Sequence, residues 1–159
     1  MTAVSLWIAS VCQPDPGYGG YGFVRLEGET RAGQAGGDRR TTGLKMALTG
    51  LIRALESLAE TPSGTLVTLN VADADTALGL RRLLAADPEF APEDETKLWA
   101  QLAAIARPRA ARIGVVALPA NAPAAGFVKA WADFGADAAK TRGAFKAAIP
   151  RPNLLKFPV

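Results

Sequence analysis

The chain has 159 residues, 49% of them apolar and 21% charged, the composition of one soluble globular domain with a core of ordinary size. A single cysteine, Cys12, and no histidine exclude an intramolecular disulfide, a Cys/His zinc site and all Ser-His-Asp or Cys-His chemistry, so catalysis would have to rest on carboxylates, lysine or a bound metal. The net charge of +3 is lopsided: Met1 to Ala106 carries nine Lys/Arg against thirteen Asp/Glu, and Arg107 to Val159 nine against two, which marks the last third as a surface for an anion.

In chain order, Met1 to Ser10 has no basic leader, and the apolar stretch Ile113 to Val128 is interrupted by Pro119, Asn121 and Pro123. Neither secretion nor membrane anchoring is expected, and a reducing cytoplasm fits. Val4 to Val11 and Tyr21 to Leu26 predict two strands joined by a Gly-rich hairpin loop, with a short third strand near Arg31 to Ala35 and a loose Gly36-Gly37-Asp38 segment after it. Thr41 or Thr42 caps a helix in which Leu44, Ala47, Leu48, Leu51, Leu55 and Leu58 recur at helical spacing. Leu66 to Val71 reads as a central strand. Helices are expected over about 75–85 and 93–105, a strand over Ile113 to Leu118, and one long Ala-rich helix over about 124–148. The order βββαβααβα implies a single-domain α/β fold with a five-stranded mixed sheet flanked by helices over 1–149, and a basic, Pro-containing tail over 150–159.

Gly17-Tyr18-Gly19-Gly20-Tyr21-Gly22 matches the spacing G-x-G-x-x-G, but it leads into the alternating Phe23-Val24-Arg25-Leu26 rather than a helix, so a hairpin loop is expected in place of a nucleotide site. Trp7, Trp99 and Trp131 fall on element positions and are expected to be core or near-core residues, since a stacking platform would need them exposed beside basic groups.

Pro16-Gly17-Tyr18-Gly19-Gly20-Tyr21-Gly22 resembles the hairpin after the first strand of the ribonuclease H family. Arg40-Thr41-Thr42 resembles that family's segment before its first helix, Val67-Thr68-Leu69-Asn70-Val71 its fourth strand, and Leu98-Trp99 a helical pair it commonly carries. These matches occur in the same order along nearly the whole chain. The resemblance implies a ribonuclease-H-like fold and a two-metal site that cleaves the RNA strand of RNA/DNA hybrids, built from carboxylates on strand 1, the first helix, strand 4 and the last helix. Counted along the matching strings, the first three positions are Ala9, Ala47 and Ala72; the fourth is Asp137 or Asp133. The asparagine pair that grips the hybrid is Gly43-Leu44 here, and the loop that often carries a histidine reads Leu118-Pro119-Ala120-Asn121-Ala122. Where some members place a basic handle this chain has Asp87, Glu89, Glu93, Asp94 and Glu95.

The coherence of these losses points to a natural pseudoenzyme rather than three engineered alanines, with no bound metal and no cofactor. The leading expectation is a catalytically inactive nucleic-acid-binding module for an RNA/DNA hybrid or duplex backbone, contacted by Arg107, Arg109, Arg112, Lys129, Lys140, Arg142 and Lys146. A first alternative is a protein-interaction or self-association module using Phe145 to Ile149 and Leu154-Leu155-Lys156-Phe157. A second is a residual metal-dependent ribonuclease H with a relocated site at Asp15, Asp73, Asp75 and Asp137.

Overall fold

The computed structural model describes residues 3–159. Met1 and Thr2, on which the reading of the leader partly rests, lie outside the described residues. The elements are β1 (Ala3–Cys12), β2 (Gly17–Glu27), β3 (Thr30–Thr41), α1 (Gly43–Glu56), β4 (Leu66–Val71), α2 (Ala74–Leu84), α3 (Thr96–Ala106), a 3-10 helix (Arg107–Arg112), β5 (Ile113–Ala117), α4 (Pro123–Arg142), β6 (Phe145–Ala148) and α5 (Arg151–Leu154). They build a mixed sheet in the order β5-β4-β1-β2-β3-β6, parallel across β5-β4-β1 and antiparallel across β1-β2-β3-β6. Among the described residues no helix is long and apolar enough to cross a membrane.

Strand alternation divides the core in two. Leu6 and Ile8 of β1 point to one face, where they meet Leu48 and Leu51 of α1, Leu80 of α2 and Leu102 of α3. Trp7 and Ala9 point to the other, against Val128 of α4 together with Ile149, Leu154 and Phe157. Helix α1 starts where Thr42 caps it, its hydroxyl accepting from Lys45 N at 3.1 Å.

The sheet has six strands, not five. The long helix expected to reach 148 stops at Arg142, because Gly143 turns the chain at φ +75°, and Phe145–Ala148 then pairs with β3. The residues read as a tail fold back onto the sheet. Phe157 is 2% exposed and packs edge-to-face on Trp7 at 4.8 Å, and Arg31 of β3 donates to the Leu154 and Phe157 carbonyls at 2.8 and 3.0 Å. Ile149, Leu154 and Phe157, expected as part of a surface for a protein partner, lie in the protein's own core, while Leu155 stays exposed and Phe145 half-buried.

Strands β2 and β3 are also longer than their composition suggests, because their glycines serve a contact rather than a turn. Helix α4 lies directly on their backbones: a Cβ on Gly20 would sit 2.5 Å from Ala136 N, and one on Gly22 2.8 Å from the Val128 carbonyl oxygen. From the helix side, a Cβ on Gly135 would lie 2.8 Å from Gly36 C and would overlap the Gly36 oxygen. Gly135→Ala should therefore destabilise the fold by about 2 kcal/mol despite alanine's better helix propensity. Gly126→Ala on the same helix, where the added methyl meets nothing within 4 Å, should stabilise it by about 0.5–1 kcal/mol. Urea midpoints at constant m-value measure both.

Candidate functional site

Ala9 lies opposite Gly22 in the β1-β2 ladder, and Ala72, just past β4, donates its N–H to the Ile8 carbonyl at 3.0 Å. The two residues thus meet beneath α4, in the cluster that holds Val24, Ala124, Ala125 and Val128. Ala47 is buried on α1, the helix of the opposite face, and joins neither apolar cluster. Asp133 and Asp137 are exposed on α4, each held by a lysine about one turn away: Lys129 at 3.0 Å and Lys140 at 3.3 Å. Hard divalent ions need several anionic oxygens, and three methyl groups supply none, so these residues do not fit a pair of metal ions. Among the described residues no group of three or more Cys, Asp or Glu side chains is placed to hold a metal.

Beside these positions a cavity of about 700 Å³ opens between the C-terminal ends of β1 and β4 and the starts of α1 and α2. Its walls include Leu44, Phe90 and Trp99, and its rim carries Asp15, Asp73, Asp75, Glu93 and Asp94 against Arg82. Two of the carboxylates have local structural work: Asp73 caps α2 by accepting from Thr76 N at 3.0 Å, and Asp15 accepts from Gly43 N at 3.2 Å. Asp137 is on α4, across the sheet, so the four acids of the relocated site do not assemble. The one-residue step from Ala72 to Asp73 moves the side chain from the α4 face to this cavity. Phosphates would be repelled here. Cys12 also lines the cavity; burial, and then the charge of Asp15, push its thiol pKa up, while the backbone at Gly17 acts the other way.

The basic residues expected to share one surface divide between two edges of the sheet. Arg107, Arg109 and Arg112 precede β5, whereas Lys140, Arg142 and Lys146 lie at or near β6; five strand spacings, about 24 Å, separate these edges. Arg109 is committed to the fold, donating to the carbonyls of Leu58, Thr61 and Pro62 at 2.9, 2.7 and 3.2 Å. Lys129 is paired with Asp133.

The β6 edge gains instead four cations from the part of the chain that is acidic on average. A cavity of about 470 Å³ at the N-terminus of α1 is lined by Arg39, Arg40, Thr41, Thr42 and Lys45, with Glu95 as its one acid. A second, of about 290 Å³, adjoins it through Lys45 and brings in Lys146 and Arg53, with Asp38 as an acid in its wall and Arg53 paired with Glu56 at 3.0 Å. Arg39 also fastens the end of α4, donating to Ala139 O at 3.1 Å and Thr141 O at 2.9 Å. The Thr41 hydroxyl is buried and has no hydrogen-bond partner among the described residues. The Arg39-Arg40 doublet and Lys45 at a helix start were visible in the sequence, but charge counted over 106 residues hid them.

Comparison with known proteins agrees with this architecture. No protein-family model matches the chain. It is 41% identical over 63 residues to a ribonuclease H of Syntrophus aciditrophicus, a match covering 40% of this chain and 36% of that protein. It is 37% identical over 68 residues to a ribonuclease H of Novosphingobium aromaticivorans, covering 43% and 48%. These matches span less than half the length of the curated relatives. Among solved structures, the N-terminal RNase H domain of a Mycobacterium tuberculosis protein superposes with a TM-score of 0.67 at 21% identity, over 89% of this chain and 99% of that one. LC11-RNase H1, solved in complex with an RNA/DNA hybrid, gives 0.69 at 16% identity, over 87% and 99%. The fold is ribonuclease-H-like.

Two outcomes follow from the geometry. Arg109→Ala should lower unfolding stability by about 2 kcal/mol, because three carbonyls lose a charged donor, and denaturant titration reads the loss. Asp15→Asn keeps an acceptor for Gly43 N but removes the charge facing Cys12, so the pH profile of thiol alkylation should move to lower pH. Because burial is the larger cause, that profile should stay above the profile of a free cysteine.

Proposed function

We propose that this chain, of ribonuclease-H-like fold, is a catalytically inactive nucleic-acid-binding module that grips phosphates along the edge formed by β3, β6 and the start of α1. The observation that carries the reading is the cavity at the N-terminus of α1. Arg40 and Lys45 flank it without ion-pair partners among the described residues, the helix dipole adds positive potential, and the Thr41 hydroxyl, unpartnered among those residues, leaves one hydrogen-bonding group unused. Lys146 continues the stripe, with Arg142 beyond it, while Arg53 and Lys140 alongside are ion-paired with Glu56 and Asp137, so backbone charge is met at several successive points. The hybrid bound by LC11-RNase H1 makes an RNA/DNA hybrid the first ligand to test.

Inactivity is supported by the donor set: Ala9, Ala47 and Ala72 offer no oxygen to a metal, Asp73 caps α2, and Asp133 and Asp137 pair with lysines. The chain's own residues can hold and orient a backbone; no step of hydrolysis is derived from them.

Fluorescence anisotropy with a labelled 15-base-pair hybrid tests this directly. Affinity should fall steeply with salt, and Arg40→Ala, Lys45→Ala and Lys146→Ala combined should reduce the slope of log K against log salt by about three units, about one per phosphate contact. Arg107→Ala with Arg112→Ala, at the far edge, should leave the slope within half a unit. Magnesium should neither tighten binding nor cleave the hybrid. Absence of affinity at low salt would overturn the binding reading, and magnesium-dependent cleavage would restore the nuclease.

A further inference from the structure

Trp7 and Trp99 are docked against Phe157 and Phe90, whereas the third tryptophan, half-buried against the α4-face core, leads outward into a row of rings. Trp131 and Phe134 of α4 meet edge-to-face at 5.2 Å and 69°, and Phe134 meets Phe145 of β6 at 6.3 Å and 71°. The row stands at the sheet edge, and Phe134, at its centre, remains 46% exposed. Arg142 places its guanidinium 5.7 Å from the centre of the Phe145 ring. Asp133 and Asp137 are held by Lys129 and Lys140, and Asp38 shares its cavity with Lys45, Arg53 and Lys146, whereas Arg142 and Lys146 make no ion pair among the described residues, so the charge left over is positive.

We propose that Trp131, Phe134 and Phe145 form a base-stacking platform for single-stranded nucleic acid, with Arg142 as its cationic flank. The inference rests on the binding function proposed above and specifies a class of ligand for it. A duplex keeps its base faces stacked on one another and offers an aromatic ring nothing but its backbone, whereas a single strand can lay a base on an exposed ring. The placement of β6 suits such a strand. Phe145 meets Phe134 of α4 and, with its neighbour Lys146, lines the cavity shared with Lys45, Arg53 and Asp38, so a chain crossing this edge meets rings and cations together at one short strand.

The test compares a labelled dT15 oligonucleotide, an abasic oligomer of the same length and a 15-base-pair hybrid at low salt. Phe134→Ala should weaken dT15 about ten-fold, while hybrid and abasic binding stay within two-fold, and Phe134→Trp should retain dT15 affinity. Phe134 is an exposed residue, so the variant should fold, and unchanged hybrid binding confirms that it has. If the wild type binds hybrid but not dT15, or if Phe134→Ala leaves dT15 affinity unchanged, the platform is wrong and the binding function stands. If the wild type binds none of the three ligands, both readings fall together.

Discussion

The backbone of α4 rests on the backbones of β2 and β3, with glycines on both sides where any side chain would collide. This close approach places every feature on its side of the sheet. It brings Val128 down onto Ala9 and Val24, sets Trp131 and Phe134 over the edge, and puts the last carbonyls of α4 within reach of Arg39. Close packing of this kind leaves no slack for intermediate geometries, since backbone atoms cannot change rotamer as side chains do. The helix is consequently both a cover for one core and a rigid mount for residues on its outer side.

The same contact explains which parts of the fold could be read from sequence. Helix α1 was legible because its leucines recur at 3.6-residue spacing, and β4 because Leu66–Val71 is a compact apolar run bounded by turn residues. The flanks of β2 and β3 were not. Gly19-Gly20 and Gly36-Gly37 read as turns when considered locally, but Gly20 and Gly37 are glycine because of a helix about a hundred residues away, Gly19 because of Thr41 and Met46, and Gly36 because of the Tyr21 ring. Strand β6 was hidden for the opposite reason: Phe145–Ala148 continues the alanine-rich composition of α4, and the positive φ of Gly143 decides the boundary. The start of α3 was misplaced by three residues, because Glu95, at φ +54°, holds a left-handed turn that composition does not announce.

Legibility of the candidate site followed chemistry rather than position. The pairing of Ala9 with Ala72 follows from strand order alone, and the structure sets them side by side. The basic surface does not, because it is assembled from residues far apart in sequence that share an edge only after the sheet has formed. The electrostatic result is a molecule divided in a way its +3 net charge does not suggest. An acid-rimmed cavity lies at the C-terminal ends of β1 and β4, and a cationic strip lies beside β3 and β6, so an anionic partner approaching at random would be turned toward the second.

The burial of Phe157 against Trp7 couples residues 150 positions apart in the chain, and the grip of Arg31 on the last turn couples residues 123 and 126 apart. During synthesis the first face of the sheet, covered by α1, α2 and α3, has all its members once α3 has left the ribosome. The α4 face lacks its closing ring until residue 157 has been made. A nascent chain would thus present Trp7 and Val24 as an uncovered apolar surface for roughly the time needed to translate from the end of α3 to Phe157, a few seconds at ordinary elongation rates. A partly synthesised chain would offer a holding chaperone this one face of the sheet, and the arrival of Phe157 would release it.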